Sequence, residues 1–397
     1  MALKVIELFG GIGACSKAIE RLGIPYEITD YVEIDKYAVK SFNAIHGTNF
    51  EPQDIKEWNK DIKADLIMHG SPCQDFSVAG KGAGGDKDSG TRSSLMYETL
   101  RIVEKIKPKY VIWENVKNLL SKKHRHNFDA YLEAMEKLGY KNYYKVLNAK
   151  DYGIPQNRER VFTISLIERE REYEWPSPMP LERKLKDMLE DNVDEKYYLS
   201  EKCLACFMSD GTGNLPRRER FLQNINRKNQ DVGNSVTTRV GGRPTDNFIV
   251  ASRGRYGEDG TIEQHLEPRD DGVTNTLTSI QKDNYVAIKT ANKQGYDLAT
   301  DGDSINLQFP NSTTRRGRVG HGVSQTLQAN SSMGTLQNYR IRKLTPKECW
   351  RLMGFDDSDF EKAEKVNSNS QLYKQAGNSI VVNVLEGILN NLLKNNN

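Results

Sequence analysis

The chain has 397 residues, with 57 Lys and Arg against 54 Asp and Glu and a net charge of +3. This length is enough for two domains with a large core, and the near balance of charge excludes a general polycation. The five cysteines form no disulfide framework, and no apolar stretch reaches membrane-spanning length. We therefore expect a cytoplasmic protein without a signal peptide.

The first 166 residues alternate short apolar strands with amphipathic helices. Strands are predicted at 4–8, 27–33, 66–69, 110–113, 143–147 and 160–165, and helices at 16–22, 36–46, 95–106 and 128–138. This alternation predicts an α/β fold, a doubly wound and mostly parallel sheet with helices on both faces. Ligands of such sheets bind at the carboxyl ends of the strands.

A glycine-rich loop follows the first strand and reads Phe9-Gly10-Gly11-Ile12-Gly13. An acid, Glu33, ends the second strand 20 residues after Gly13. Glycines allow close backbone approach and a carboxylate accepts hydrogen bonds from ribose hydroxyls, so the pattern predicts a nucleoside ligand. The three-glycine spacing of dinucleotide sites is absent, because position 16 is Ser. The candidate cofactor contacts in this part of the chain are Phe9, Gly11, Ile12, Gly13, Glu33, Ile34, Asp54 and Ile55.

Asp54 has two interpretations. Its carboxylate could accept a hydrogen bond from an adenine amino group, or it could cap a helix.

Cys73 follows the third strand directly, in the segment Gly70-Ser71-Pro72-Cys73-Gln74-Asp75-Phe76-Ser77. A thiol at the carboxyl end of a strand, in a turn stiffened by proline, is placed as a nucleophile would be. A lone cysteine is more often a small core residue. Two further motifs favour the nucleophile, namely Glu114-Asn115-Val116 and Gln156-Asn157-Arg158-Glu159-Arg160.

The order and spacing of these motifs resemble the DNA (cytosine-5)-methyltransferase family of bacteria and phages. Residues 342–355 resemble the ninth motif of that family, and Gln375-Ala376-Gly377-Asn378-Ser379-Ile380 resembles the tenth. The matching segments cover residues 1–166 and 340–393. The first motif departs from the usual pattern: Glu7 replaces the usual Asp, Gly10 stands where Ser or Ala is common, and Ala14 stands where Gly is common.

The resemblance implies methyl transfer from S-adenosylmethionine to carbon 5 of a cytosine flipped out of duplex DNA, with S-adenosylhomocysteine as product. Cys73 would attack carbon 6 of the ring. Glu114 would bond to N3 in its protonated form, which requires a pKa raised by burial. Arg160 would hold the pyrimidine carbonyl, and Arg158 would orient the site or face a phosphate. The resemblance also implies a place near the flipped nucleotide for Gln74 and cofactor contacts for Pro72, Asn378 and Ser379.

Taken alone, residues 156–160 could instead be a surface ion-pair cluster. The glycine-rich and basic segment 77–94 is expected to close over DNA, although a disordered linker is an alternative. Its candidate DNA contacts are Ser77, Lys81 and Arg92.

Composition changes after residue 180, and residues 200–345 are rich in Gly, Asn, Thr, Ser and Arg. We expect a catalytic domain at 1–181 and 370–397, and a smaller β-rich target-recognition domain at 182–369. Residues 304–347 contain no Asp or Glu, so Arg315, Arg316 and Arg318 are candidate DNA contacts, with a solvated surface as the alternative. Cys203 and Cys206 have no second ligand pair at zinc spacing, so no metal is expected.

The expected partner is double-stranded DNA, bound by a monomer. Three biological settings remain open: a restriction-modification system with a cognate endonuclease that acts separately, a phage-borne protector, and a solitary regulator. Two alternatives remain at this stage: an RNA cytosine methyltransferase that acts on transfer RNA, and a catalytically silent DNA-binding protein.

Overall fold

A computed structural model describes residues 2–71, 95–167, 172–200, 249–256, 262–267, 284–293, 295–310, 312–329, 332–337 and 340–393. Several residues named in the predictions lie outside these ranges, namely Pro72, Cys73, Gln74, Ser77, Lys81, Arg92, Cys203 and Cys206.

The chain divides into two compact units. The first unit comprises Met1–Arg183, Gln328–Asn330 and Pro346–Asn397, and the second comprises Lys184–Leu327 and Ser331–Thr345. The observed boundary at 183/184 is close to the predicted one at 181/182. The chain returns to the first unit at Pro346, however, and not at residue 370 as expected. Its return segment carries buried Trp350, whose ring contacts Phe355 and Phe360 within the first unit.

A six-stranded sheet forms the centre of the first unit, in the order β2-β1-β3-β4-β7-β5. The four strands β1 to β4 pair in parallel, whereas β7 is antiparallel to both β4 and β5. The strands of this unit are β1 (Leu3–Leu8), β2 (Tyr26–Val32), β3 (Leu66–His69), β4 (Tyr110–Val116), β5 (Lys141–Asn148), the short β6 (Gln156–Asn157) and β7 (Glu159–Leu166).

Burial along the strands explains why their sequences differ. All four residues of β3 are buried, and so are six of the seven in β4, whereas β5 at the sheet edge is mostly exposed or half-buried. Central strands covered on both faces are continuous apolar runs, and edge strands are not. The predicted α/β fold is confirmed, with antiparallel pairing at one edge as a feature that the alternation of elements did not predict.

Eight α-helices of the described residues belong to the first unit. Helix α1 packs against α8, α2 against α6, and α3 against α4. The helices are α1 (Ala14–Arg21), α2 (Lys36–His46), α3 (Met96–Ile106), α4 (Arg125–Lys137), α5 (Pro346–Arg351), α6 (Asp357–Glu364), α7 (Asn369–Asn378) and α8 (Val382–Leu393). Short 3-10 helices span Lys117–Leu120, Ala149–Tyr152, Leu185–Met188 and Glu195–Tyr197.

The second unit is built from antiparallel strands, as the composition predicted. One sheet has the order β11-β10-β8-β9 and another the order β13-β12-β15-β16. Its core contains Val286, Ile288, Ile305, Leu336 and Ile341. The strands are β8 (Ile249–Tyr256), β9 (Ile262–Glu267), β10 (Asn284–Lys289), β11 (Tyr296–Ala299), β12 (Ser304–Asn306), β13 (Val319–Gly320), β14 (Ser324–Gln325), β15 (Met333–Gln337) and β16 (Arg340–Lys343).

Within the ranges that the structure describes, no helix combines the length and apolar character needed to cross a membrane.

Candidate active site

The glycine-rich loop joins β1 to α1 through left-handed backbone. Phe9 has a φ of +53°, which is rare for a residue with a side chain, and Gly13 caps α1 with a φ of +81°. A Cβ atom at Gly13 would lie 2.2 Å from Nε2 of His46, and one at Gly10 would lie 2.8 Å from the Tyr31 ring. Glycine is therefore needed at both positions for the loop to pack on its neighbours.

The carboxylate of Glu33 organises this loop from the end of β2. Its Oε2 accepts a hydrogen bond from the Gly11 amide at 3.2 Å, and its Oε1 accepts one from the Asp35 amide at 2.9 Å. Burial raises the pKa of Glu33, although these two amides oppose the shift. Sequence reasoning assigned Glu33 a ligand contact and did not foresee that it also holds the loop.

A cavity of about 690 Å³ opens at the carboxyl ends of β1 to β4. Nine of the predicted cofactor residues line it, namely Phe9, Gly11, Ile12, Glu33, Ile34, Asp54, Ile55, Asn378 and Ser379. Gly13 does not line it, because it lies behind the loop against α2. Glu114, Arg158 and Arg160 line the same cavity, so the structure brings the predicted cofactor and catalytic residues together.

Three cavity residues differ in their surroundings. The side chain of Ile34 is 67% exposed although it is large and apolar, whereas Ile55 is buried. Asp54 Oδ1 accepts a hydrogen bond from the Lys56 amide at 3.0 Å, so this carboxylate caps a turn while it also lines the cavity. The two interpretations of Asp54 are therefore compatible.

Glu114 is a buried acid at the carboxyl end of β4. Nε of Arg160 lies 3.0 Å from Oε1 of Glu114. Burial raises the pKa of Glu114, and the positive charges of Arg160 and Arg158 oppose that shift without reversing it. A raised pKa is the direction that a protonated glutamic acid at neutral pH requires.

Arg158 hydrogen-bonds to the backbone where α7 ends and the chain continues to α8. Its guanidinium donates hydrogen bonds to the carbonyl oxygens of Ser379 at 2.7 Å and Gly377 at 3.2 Å. The residue is only 4% exposed, so the alternative of a phosphate-facing cation does not fit. Of the two roles considered for Arg158, the structure favours orientation of the site.

Only Glu159 fits the alternative that residues 156–160 form a surface ion-pair cluster. Gln156 is fully buried, and its Nε2 donates to the carbonyl oxygen of Leu352 at 2.7 Å. Glu159, in contrast, is exposed and pairs with Lys117. Successive strand residues point to opposite faces, so one short motif contains both an exposed pair and buried positioning groups.

Ser71 and Trp113 were not predicted as site residues. The hydroxyl of Ser71 accepts a hydrogen bond from Nε1 of Trp113 at 3.0 Å, and Asn115 Nδ2 lies 3.4 Å from the Ser71 carbonyl oxygen. Ser71 lies two positions before Cys73 in the sequence, so β4 holds the residue at the edge of the segment that contains the predicted nucleophile. The sequence signal that could have found this pair is a tryptophan in a buried strand, because its indole N–H needs an acceptor.

Glu7 occupies the position where the family usually has Asp. Its Oε1 accepts hydrogen bonds from both the amide and the hydroxyl of Ser16, in the first turn of α1. Burial raises the pKa of Glu7 to about 7. Ser16, the residue that breaks the dinucleotide spacing, therefore provides the partner for this buried carboxyl group.

The three arginines of the acid-free segment differ in exposure. Arg316 is exposed and Arg315 is half-buried. Arg318 is 1% exposed, and its guanidinium donates to the carbonyl oxygens of Asn306, Gln308 and Phe309. A DNA contact does not fit Arg318, because its donors already satisfy backbone groups of the unit. Arg315 and Arg316 remain candidates.

The glycine loop, the carboxylate of Glu33 and the Glu114–Arg160 pair therefore lie around one cavity, at the carboxyl ends of the parallel strands of a mixed sheet. The model of the C-5 cytosine-specific DNA methylase family matches residues 3–394. The chain belongs to this family, as its motifs predicted.

Relatives of known type cover nearly the whole chain. The orphan methyltransferase M.SPRI of Bacillus phage SPR is 34% identical over 98% of this chain and 97% of its own length. The type II methyltransferase M2.ScrFI of Lactococcus lactis subsp. cremoris is 30% identical over 99% of each chain. The relatives therefore include both phage and type II methyltransferases, the two groups that the sequence analysis named.

Solved structures support the fold. The Dnmt2 methyltransferase of S. pombe matches with a TM-score of 0.53 and 17% identity, over 100% of this chain and 99% of its own. The methyltransferase EhMeth of Entamoeba histolytica matches with a TM-score of 0.55 and 15% identity, over 100% and 99%.

Proposed function

We propose that the protein transfers a methyl group from S-adenosylmethionine to carbon 5 of a cytosine within a specific sequence of duplex DNA. One observation carries the proposal: the ion-paired acid Glu114 shares a cavity with the glycine loop and Glu33. Family membership supplies the reaction class.

The residues of the cavity fit an adenosyl group. A volume of about 690 Å³ lies in the range of small-molecule sites, roughly 300–1,000 Å³. Glu33 would accept hydrogen bonds from ribose hydroxyls, Asp54 from the adenine amino group, and Ile34 and Ile55 would lie against the base. Bound S-adenosylmethionine supplies an electrophilic methyl group.

Carbon 5 of cytosine is too electron-poor to accept a methyl group directly. In the proposed mechanism the Cys73 thiolate adds to carbon 6 while Glu114 donates its proton to N3, and carbon 5 then becomes nucleophilic. After methylation, carbon 5 loses its proton to a base, the Cys73 thiolate is expelled, and the N3 proton returns to Glu114. The ring is restored, and sulfur suits both steps because it is a strong nucleophile and a good leaving group.

The neighbouring cations position this chemistry. Arg160 would hold Glu114 in place and approach the pyrimidine carbonyl, where negative charge develops. Arg158 would act through Asn378 and Ser379, the cavity residues whose segment it binds. A base inside a duplex cannot reach the cavity, so the cytosine would flip out, with Gln74 beside it and segment 77–94 over the DNA.

The second unit would read the target sequence. Its segments between residues 184 and 345 carry the arginines of the acid-free tract, and phosphate attraction would bring this unit onto DNA. Exchange of residues 184–345 for the matching part of a relative should transfer the methylated sequence. A chimaera that keeps the original sequence would place recognition elsewhere.

The central experiment compares the parent with Cys73→Ser on unmethylated duplex DNA, with methyl incorporation as the readout. The serine variant should lose nearly all transfer and keep S-adenosylmethionine binding, because a hydroxyl is a far poorer nucleophile than a thiolate. Cys349→Ser is the matched control, since Cys349 is buried in α5 and does not line the cavity. Substantial transfer by Cys73→Ser would contradict the mechanism.

Two further measurements separate the alternatives. Transfer RNA offered in parallel tests for an RNA methyltransferase, and we expect transfer to duplex DNA only. Duplex DNA containing 5-fluorocytosine should form an adduct that survives denaturation, which a silent DNA-binding protein cannot form. Bisulfite sequencing of DNA from cells that express the protein identifies the target sequence.

A further inference from the structure

Phe309 is an exposed aromatic residue in a strained backbone. Its side chain is 67% exposed, and its φ of +48° is a conformation that bulky residues seldom adopt. Strain of this kind persists only where the surroundings enforce it. The core of the second unit does not require this ring, because the side chain points into solvent.

The side chain of Arg318 holds Phe309 in this backbone conformation. Its buried guanidinium donates to the carbonyl oxygens of Asn306 at 3.0 Å, Gln308 at 2.9 Å and Phe309 at 2.7 Å. The Phe309 carbonyl also accepts a hydrogen bond from the Ser312 amide at 2.9 Å. A charge taken out of water needs such partners, so these carbonyl oxygens are held around the arginine.

One arginine lies beside the ring, and a second follows it in the sequence. The guanidinium of Arg315 lies 5.9 Å from the ring centroid of Phe309. Nε of Arg316 donates to the carbonyl oxygen of Ala291 at 3.2 Å, in a turn that also carries the exposed Lys293. Residues 304–347 contain no acid, and Asp297, which lies before this range, accepts a hydrogen bond from Asn292 at 2.8 Å.

We propose that Phe309 inserts its ring between bases of the bound duplex, while Arg315 and Arg316 contact the flanking phosphates. Apolar side chains that enter a base step are a common way for proteins to grip DNA, and aromatic rings stack on any base. Duplex DNA is the ligand we favour, because Arg315 lies beside the ring and the exposed Arg316 follows it, and both would attract a polyanion. This inference rests on the proposed function, with duplex DNA as the substrate, and adds one contact between the protein and that DNA.

Binding across a salt series distinguishes the ring from the charges. The probe is a duplex containing the sequence mapped by bisulfite sequencing, followed by fluorescence anisotropy. Phe309→Ala should weaken binding by about fivefold to a hundredfold, the range of base stacking. The slope of log K against log salt should stay unchanged, because the ring releases no counterions. Phe309→Trp should retain most of the affinity.

Tyr144→Ala is the matched control. Tyr144 is also an exposed aromatic ring, with the guanidinium of Arg125 at 5.5 Å from its centroid, but it lies on β5 of the first unit. This variant should bind DNA like the parent.

Phe309→Gly tests whether a weaker affinity reflects the missing ring or a damaged fold. Glycine tolerates the positive φ, so this variant should be at least as stable as Phe309→Ala and should bind DNA equally weakly. Unchanged binding by either variant, or equally weakened binding by Tyr144→Ala, would overturn the proposal. Methyl transfer by the parent tests the proposed function separately; a parent that does not bind duplex DNA would overturn both.

Discussion

The indole N–H of Trp113 reaches the hydroxyl of Ser71 at 3.0 Å, and through this bond β4 holds the residue two positions before Cys73. The ring of Trp113 is itself buried, and it stacks against His69 and packs against Tyr131 in the core. A buried side chain of the neighbouring strand β4 therefore holds Ser71, just beyond the end of β3.

Removal of this bond should impair catalysis more than binding. Trp113→Phe keeps an aromatic ring and removes the donor, and Ser71→Ala removes the acceptor. Because a displacement of about 1 Å can cost about 100-fold in rate, we expect kcat to fall at least tenfold, with little change in KM for S-adenosylmethionine. The double variant should be no worse than either single variant. Reductions in kcat that multiply would show that the two residues act independently.

Glu114→Gln should reduce single-turnover methyl transfer by roughly 100-fold or more, because glutamine cannot supply the proton. The pKa of Glu114 is raised, so the active protonated form disappears as pH rises through that pKa. The parent rate should therefore show an alkaline limb that the glutamine variant lacks. Glu159→Gln, in the neighbouring strand and exposed, should behave as the parent does. An identical pH profile for parent and Glu114→Gln would remove Glu114 from the chemistry.

Glu7 should make the protein less stable as pH rises. Its folded-state pKa of about 7 lies above its ordinary value of 4.5, so the folded state binds the proton more tightly. The free energy of unfolding should then fall between pH 4.5 and pH 7, on the order of 3 kcal/mol in total. Glu7→Gln should flatten this part of the profile, as measured by denaturant unfolding at pH 5 and pH 8. Parallel profiles for the two proteins would contradict the assignment.

Glu33→Ala should weaken S-adenosylmethionine binding by about 1.5–3 kcal/mol, the range for a hydrogen bond to a charged group. Calorimetry measures this directly. Glu27→Ala is the control, because Glu27 is an exposed acid on the same strand. Unaltered affinity of Glu33→Ala would direct attention to Asp35, which also lines the cavity.

Neutralisation of Arg315 and Arg316 together should weaken DNA binding and lower its salt slope by about one for each phosphate that is no longer neutralised. Binding of S-adenosylmethionine should be unchanged. Arg318→Ala should instead lower the stability of the second unit, because three backbone carbonyls would be deprived of their donor. An unchanged salt slope in the Arg315 and Arg316 variant would favour the alternative of a solvated surface.

Local pattern was sufficient for most strands and for the first four helices of the first unit, but it did not predict α6, α7 or the short strand β6. The predicted ranges 66–69 and 36–46 coincide with β3 and α2, because buried strands and amphipathic helices have distinct periodicities. The Ser71–Trp113 bond could not be predicted, since it depends on the register that places Trp113 opposite His69. Arg318 was assigned to DNA because composition shows charge but not whether the charged group is buried. The return of the chain at Pro346 depends on packing of Trp350, which its sequence neighbours do not reveal.

The pairing of α1 with α8 affects the order in which the protein assembles on the ribosome. Helix α1 buries Ala18 and Ile19, and α8 buries Leu385 and Ile388. The two helices are more than 350 residues apart in the chain, so α1 is synthesised long before α8. Contacts this distant in sequence form slowly, and the waiting apolar surface is open to aggregation. Translation that stops before residue 382 would leave a nascent chain whose first helix lacks its partner, and we expect such products to be poorly folded.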